Sequence, residues 1–227
     1  MKKTIGIIVV LIITLIILTG CSVNVNYEVK VNKDGSGDIS YVYGFSKDTL
    51  ESLQTSAEDL VASMKEQAEN SEYKTEYYED DEIAGFKASK HLNDLSKEFS
   101  LKEAFGKEYV NEDEGKTGIK INKSLFKTKI IQESQIDLTS MKDIQAAVKM
   151  KYTVKLPVKL KTNNATQVEK DGKTATWELI PGEVNSVEYV ASGINLLPIL
   201  IIILVVCLVV AALVYYFIFF KKKKVTK

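Results

Sequence analysis

The sequence predicts an α+β domain, an antiparallel sheet covered by one long amphipathic helix, followed by a C-terminal transmembrane helix. Three patterns carry that expectation. Apolar residues alternate with polar ones through residues 22–45, they recur at three- and four-residue spacing through residues 47–69, and residues 196–220 run for 25 positions without a charge. A two-residue period puts one set of side chains on one face of a strand, whereas a period near 3.6 lines one stripe of a helix.

The chain opens on another apolar block. Lys2 and Lys3 precede an uncharged run from Ile5 to Leu18, which closes on Leu18-Thr19-Gly20-Cys21. As helix this run spans roughly 21 Å, short of the ~30 Å hydrocarbon core, so residues 1–20 read as a signal peptide and not as an uncleaved anchor. The Leu-Thr-Gly-Cys ending resembles the lipobox of bacterial lipoproteins. That resemblance implies cleavage between Gly20 and Cys21 and a diacylglyceryl group on Cys21, and two acyl chains suffice for stable anchoring.

Residues 21–195 then form the extracytoplasmic domain. Val23, Val25, Tyr27, Val29 and Val31, a turn through Asn32–Gly37, and Ile39, Tyr41, Tyr43 and Phe45 make a β-hairpin with one buried face. Ser46 can cap the helix that follows, whose stripe is Leu50, Leu53, Ala57, Leu60, Val61, Met64 and Ala68. Strands are expected near 73–79, 83–89, 117–122 and 126–138, and short helical stretches near 99–105 and 140–148. From Met150 to Leu160 every even position is apolar, while Lys149, Lys151, Lys155, Lys159 and Lys161 take odd ones. This reads as one long strand with a basic face, and Pro157 favours an edge or a bulge within it. Turns at Lys170-Asp171-Gly172 and Pro181-Gly182 separate strands near 165–169, 173–180 and 186–191.

The final run, residues 196–220, is long enough to span a bilayer with some tilt. Tyr215, Tyr216, Phe217, Phe219 and Phe220 form an aromatic belt at its end, and Lys221–Lys224 follow at once. The positive-inside rule places this tail, residues 221–227, in the cytoplasm and residues 22–195 outside the bacterial cytoplasmic membrane.

Composition excludes several chemistries. All 30 basic residues are Lys, so forked Arg recognition of phosphate is absent, and one His (His91) and two Cys (Cys21, Cys207) cannot make a four-ligand zinc site. Seven of the 30 lysines (Lys2, Lys3, Lys221–Lys224 and Lys227) lie outside the ectodomain while all 30 acids lie within it. The ectodomain is therefore −7, against a nucleic-acid partner. Glu114-Gly115-Lys116-Thr117 ends like a phosphate loop, but Val110 stands where its first glycine belongs. Asp34, Ser36 and Asp38 begin like a calcium loop, yet Ile39 and Phe45 occupy the glycine and glutamate positions, so a hairpin turn is preferred. The acidic run Glu79–Glu82 reads as a solvated loop, and His91 has no neighbour that would activate a nucleophile. No catalytic residue, cofactor or metal is expected, and the chain is not expected to be an enzyme.

The layout resembles the LppM-like lipoproteins, a bacterial family with a lipobox, an extracytoplasmic domain and a C-terminal membrane helix. The residues that carry the resemblance are Leu18–Cys21, the hairpin with Asp34-Gly35-Ser36-Gly37, the Val154–Leu160 strand and Gly172-Lys173-Thr174-Ala175-Thr176-Trp177-Glu178-Leu179-Ile180-Pro181-Gly182. It implies an α+β ectodomain similar to lipid-binding folds, with membrane lipids or glycolipids as ligands and no catalytic motif. The expected ligand site lies between helix and hairpin, with Leu53, Leu60 and Met64 on one side and Tyr41 and Tyr43 on the other. Two alternatives stand beside it: ordinary core packing of the same side chains, and an accessory role docking on an envelope protein.

Overall fold

A computed structural model of the chain describes residues 22–54, 56–70, 72–101 and 118–221, apart from the side chains of Leu53, Leu60, Ser63, Met64, Gln67 and residues 218–221. The signal segment, Cys21, Glu114–Thr117 and the tail from residue 222 lie outside the described residues.

The hairpin alternation folds as the pattern directs. Strands β1 (Val23–Val31) and β2 (Gly37–Ser46) pair antiparallel, with Tyr27 opposite Tyr41 and Val29 opposite Ile39. Their turn closes on Asp34, whose Oδ1 accepts from the Ser36 amide at 3.1 Å and the Ser36 hydroxyl at 2.6 Å, and Gly35 supplies φ +88°. These same bonds hold the Asp34 carboxyl below its usual range.

The single helix expected over residues 47–69 is two helices, α1 (Lys47–Leu53) and α2 (Ala57–Asn70). Ser46 caps α1 by accepting from the Thr49 amide, and Gln54 ends it in the left-handed region at φ 51°. Ser56 then restarts the helix, its Oγ accepting from the Asp59 amide at 3.2 Å and donating to Asp59 Oδ2 at 2.7 Å. Two competing caps inside one apolar stripe therefore break it.

The remaining elements among the described residues are β3 (Lys74–Glu79), β4 (Ile83–Leu92), α3 (Leu95–Glu98), β5 (Lys120–Lys123), β6 (Lys127–Asp137), a 3-10 turn (Thr139–Ile144), β7 (Val148–Lys155), β8 (Leu160–Asn163), β9 (Gln167–Val168), β10 (Thr174–Leu179), β11 (Val184–Ile194) and α4 (Leu196–Lys221). Seven strands form one sheet in the order β3-β4-β2-β1-β7-β10-β9, and four form a second in the order β5-β6-β11-β8. The α+β class holds, but the layout of one antiparallel sheet under one long helix is corrected in two ways. The larger sheet is mixed, because β1 and β7 run parallel, and most of its covered face meets the second sheet rather than a helix.

The strand expected over residues 149–161 is also two. β7 ends at Lys155, the Leu156 amide bonds to the Lys173 carbonyl, and the chain turns through Pro157 to enter the second sheet as β8. Proline, which cannot donate to a ladder, marks the corner. Alternation continues across it because Leu156, Val158 and Leu160 all reach the same core.

One face of the seven-stranded sheet carries both hydrophobic clusters. Val29, Val154 and Ala175 make one fully buried row across β1, β7 and β10, and Tyr27, Tyr152 and Trp177 make the next. These pack against Ile130, Ile136, Val187, Tyr189 and Ala191 of the second sheet. At the Val23 end of the strands the same face carries Val23, Phe45, Phe86 and Ala88, covered by Val61 and Ala68 of α2.

Strand direction fixes where the chain leaves the domain. β1 starts beside Ala147, at the end where Leu138 and Gly182 meet, whereas β11 starts at that end and finishes at the opposite one, against Lys127. Helix α4 follows β11 after Asn195 alone. Its window Leu196–Phe217 is long and apolar enough to cross a membrane.

Candidate functional site

Of the five residues expected to line a ligand site, the structure places Tyr41 and Tyr43; the side chains of Leu53, Leu60 and Met64 lie outside those described. Tyr41 and Tyr43 stand two apart on β2 and so share the face turned to α2. Phe86 of β4 lies directly opposite Tyr43. The rings form a wall: Tyr41 meets Phe86 at 5.8 Å and Tyr73 at 5.4 Å edge-on, while Tyr43 meets Phe86 at 6.2 Å and Phe45 at 6.0 Å. Gly85 lets the two strands close here, since a β-carbon on it would collide with the Tyr43 carbonyl. Both phenols remain partly accessible, and burial pushes each up to about 12, with the neighbouring Tyr73 adding to the shift at Tyr41. At neutral pH both are neutral hydroxyls on an apolar wall.

On the open side of the large sheet, away from this wall, a polar groove of about 510 Å³ lies at the Ser22 end of the domain. Ser22 and Asn24 of the first strand, Lys149 of β7, Lys47, Asp48, Thr49 and Ser52 of α1, and Asp81, Glu82 and Ile83 before and on β4 converge there. Helix α1 divides the two surfaces. Asp48, Thr49 and Ser52 face the groove, while Leu50 packs with the cluster that contains Phe45. The residue that follows Cys21 therefore sits on the rim of a polar cleft that the sheet and α1 separate from the aromatic wall.

The acidic run splits between structure and groove. Glu79 pairs with Lys47 at 2.9 Å, and their hydrogen bond raises the Lys47 ammonium and lowers the Glu79 carboxyl. Asp80 Oδ1 accepts from the Ile83 and Glu82 amides and Oδ2 from the Tyr78 hydroxyl, which holds its carboxyl low and closes the β3–β4 turn. Asp81 and Glu82 remain for the groove. The expected basic strand face is likewise divided at Pro157: Lys149, Lys151 and Lys155 project from β7 on the open side of the large sheet, with Lys155 2.8 Å from Glu28, while Lys161 belongs to β8. His91 lies on that open side too, its Nδ1 2.7 Å from Asp38 across the β2–β4 pair. Among the described residues no group of three or more His, Cys, Asp or Glu side chains is placed to hold a metal ion.

A polar cluster is sealed between the sheets. The Tyr152 hydroxyl donates to Gln132 Oε1 at 2.9 Å, and Gln132 Nε2 donates to Ser134 Oγ at 3.3 Å. Trp177 packs between Tyr152 and Tyr189, 5.8 Å from each, and its indole N–H donates to Asn164 Oδ1 at 2.7 Å. Burial raises the Tyr152 and Tyr189 phenols well above their ordinary value. The Tyr189 hydroxyl is buried with no hydrogen-bond partner among the described residues.

The family model of the LppM domain matches residues 24–193, nearly the whole of the described domain. Among solved structures, the folded domain of the LppM protein of Mycobacterium tuberculosis, determined by NMR, is similar at a TM-score of 0.43 and 17% identity, covering 76% of this chain and 91% of that one. No curated protein matches the chain.

The two buried tyrosines differ in what their hydroxyls hold, so their truncation has different outcomes. Tyr152→Phe leaves Gln132 short of a donor and is expected to lower stability by about 1–3 kcal/mol, whereas Tyr189→Phe removes an unpaired group and leaves stability unchanged or raised. Thermal unfolding followed by Trp177 emission checks this, and equal losses in both variants would contradict the assignment.

Proposed function

The chain belongs to the LppM family, and from that premise we propose that it is a non-enzymatic lipoprotein whose extracytoplasmic domain binds an amphiphilic envelope lipid. In this reading a diacylglyceryl group on Cys21 and helix α4 hold it in the bacterial cytoplasmic membrane. The observation that carries the proposal is the Tyr41–Tyr43–Phe86 wall on the face turned to α2, apolar rings whose phenols remain partly accessible. An amphiphile needs an apolar wall for its chain and polar groups for its head, and the partly accessible Tyr41 and Tyr43 hydroxyls stand on the wall itself. The helices that carry Leu53, Leu60 and Met64 supply the facing side.

The two anchors leave opposite ends of the domain with one residue of slack each, Ser22 and Asn195. β1 alone covers about 26 Å between them at 3.3 Å per residue. A domain tied at both ends to one bilayer lies with its strands along the membrane, which keeps the ends of the wall near the lipid surface.

An accessory role is the second reading. It draws on the open face of the large sheet, where Lys149, Lys151 and Lys155 are exposed, with Glu28 beside Lys155 and Glu178 opposite Lys151. A patterned charged face of this kind suits a protein partner.

Two experiments separate these statements. Native mass spectrometry of protein extracted in mild detergent is expected to show a noncovalent lipid on the wild type. Its occupancy should fall about tenfold in Tyr43→Ala, a loss of roughly 1.4 kcal/mol, in protein confirmed folded by Trp177 emission. A wild type free of such lipid would leave the accessory reading. Anchoring is tested apart from this: Cys21→Ser should abolish metabolic labelling by a fatty-acid probe, and persistent labelling would remove the lipoprotein assignment.

A further inference from the structure

The tip of the β5–β6 hairpin is used by neither the core nor the proposed ligand site. Ser124 closes it, with its amide and hydroxyl both donating to the Lys127 carbonyl at 2.8 and 3.1 Å. Leu125 and Phe126 between them are turned outward, 61% and 45% exposed. From Lys120 to Lys129 the hairpin carries Lys120, Lys123, Lys127 and Lys129 and no acid. It is a basic ribbon with an apolar end.

Its position gives that end a neighbour. Asn195, the one residue between β11 and α4, is bound to the hairpin three times: its amide donates to the Phe126 carbonyl at 2.9 Å, its Nδ2 to the Ser124 carbonyl at 3.1 Å, and its Oδ1 accepts from the Thr128 hydroxyl at 3.1 Å. The tip is thereby held beside the first turn of the membrane-length helix, where Ile194, Leu196 and Leu197 are also about two-thirds exposed. Two apolar surfaces meet where the chain would enter lipid. With the apolar tip in lipid, the lysines behind it would stand near the anionic headgroups.

We propose that the β5–β6 turn is a membrane-inserting wedge: Leu125 and Phe126 enter the outer leaflet beside α4, and Lys120, Lys123, Lys127 and Lys129 engage anionic headgroups around them. The bilayer is the occupant because the tip is bonded to the residue that begins the α4 run. The inference requires α4 to span, and it depends neither on acylation of Cys21 nor on the ligand site. Asn195 acts as the positioning residue that sets the depth of the tip.

The test uses the full chain with Cys21→Ser and Cys207→Ala, reconstituted in vesicles of phosphatidylcholine and phosphatidylglycerol. A nitroxide is placed in turn at Leu125→Cys, Phe126→Cys and, as a reference on the exposed side of α2, Lys65→Cys. All three positions are at the surface, so folding does not depend on them. The expected result is that the labels at 125 and 126 collide more with dissolved oxygen than with a water-soluble nickel chelate, with the reverse at 65. Labels at 125 and 126 as open to the chelate as the one at 65 would overturn the wedge. So would shielding that appears only when a second protein is added.

Discussion

Strand β1 is paired along its whole length to β2, from Val23–Phe45 to Val31–Gly37, and along all but its last residue to β7, from Val23–Val148 to Lys30–Lys155. The rest of the domain depends on that double pairing. Parallel strands need a long crossover, so everything from β2 through the 3-10 turn is the connection between β1 and β7. Register is the sensitive quantity. A slip of one residue would exchange Val23, Tyr27, Val29 and Val31 for Asn24, Asn26, Glu28 and Lys30 on the covered face, and each fully buried aliphatic contributes about 1.5–3 kcal/mol.

The same strand divides the covered face into two uses. Tyr27, Val29 and Val31 enter the core between the sheets, whereas Val23 and Val25 lie with Phe45 and Phe86 near α2. The upper part is closed by a second sheet that the Tyr152–Gln132 bond ties to the first. The lower part is closed by two short helices that meet at a left-handed Gln54. A rigid sandwich thus positions an aromatic wall whose cover is built from smaller pieces. That division places the candidate site at the end where β1 begins.

How much of this could be read from residues alone follows from local periodicity. The opening hairpin, the Trp177 strand and the apolar C-terminal helix each carry their own pattern, and each was legible. The second sheet was not, because Thr128, Gln132 and Ser134 occupy buried inward positions on β6 and so disguise its covered face. The break at Gln54 was hidden because Ala57 and Val61 continue the stripe begun by Leu50, although Ser56 and Asp59 form the cap that causes it. At Pro157 the alternation passed through a corner between sheets without losing phase. Tyr41 and Tyr43 were found by alternation, but Phe86 and Tyr73 join them only through strand order. The polar groove draws on the chain at Ser22, Ser46, Asp81 and Lys149, separations that no window along the sequence connects.

The central claim is that an amphiphile lies against the β2–β4 wall beneath α1 and α2. It is tested most directly by a lipid with a photoactivatable group in its acyl chain, crosslinked to the full protein in native membranes, with the adducts mapped by peptide mass. The account predicts adducts on residues 41–45 and 57–68 in addition to those on α4, and their loss when unlabelled envelope lipid is supplied in excess. Adducts confined to α4 and the β5–β6 turn would contradict it, leaving a protein that touches lipid only where it enters the membrane.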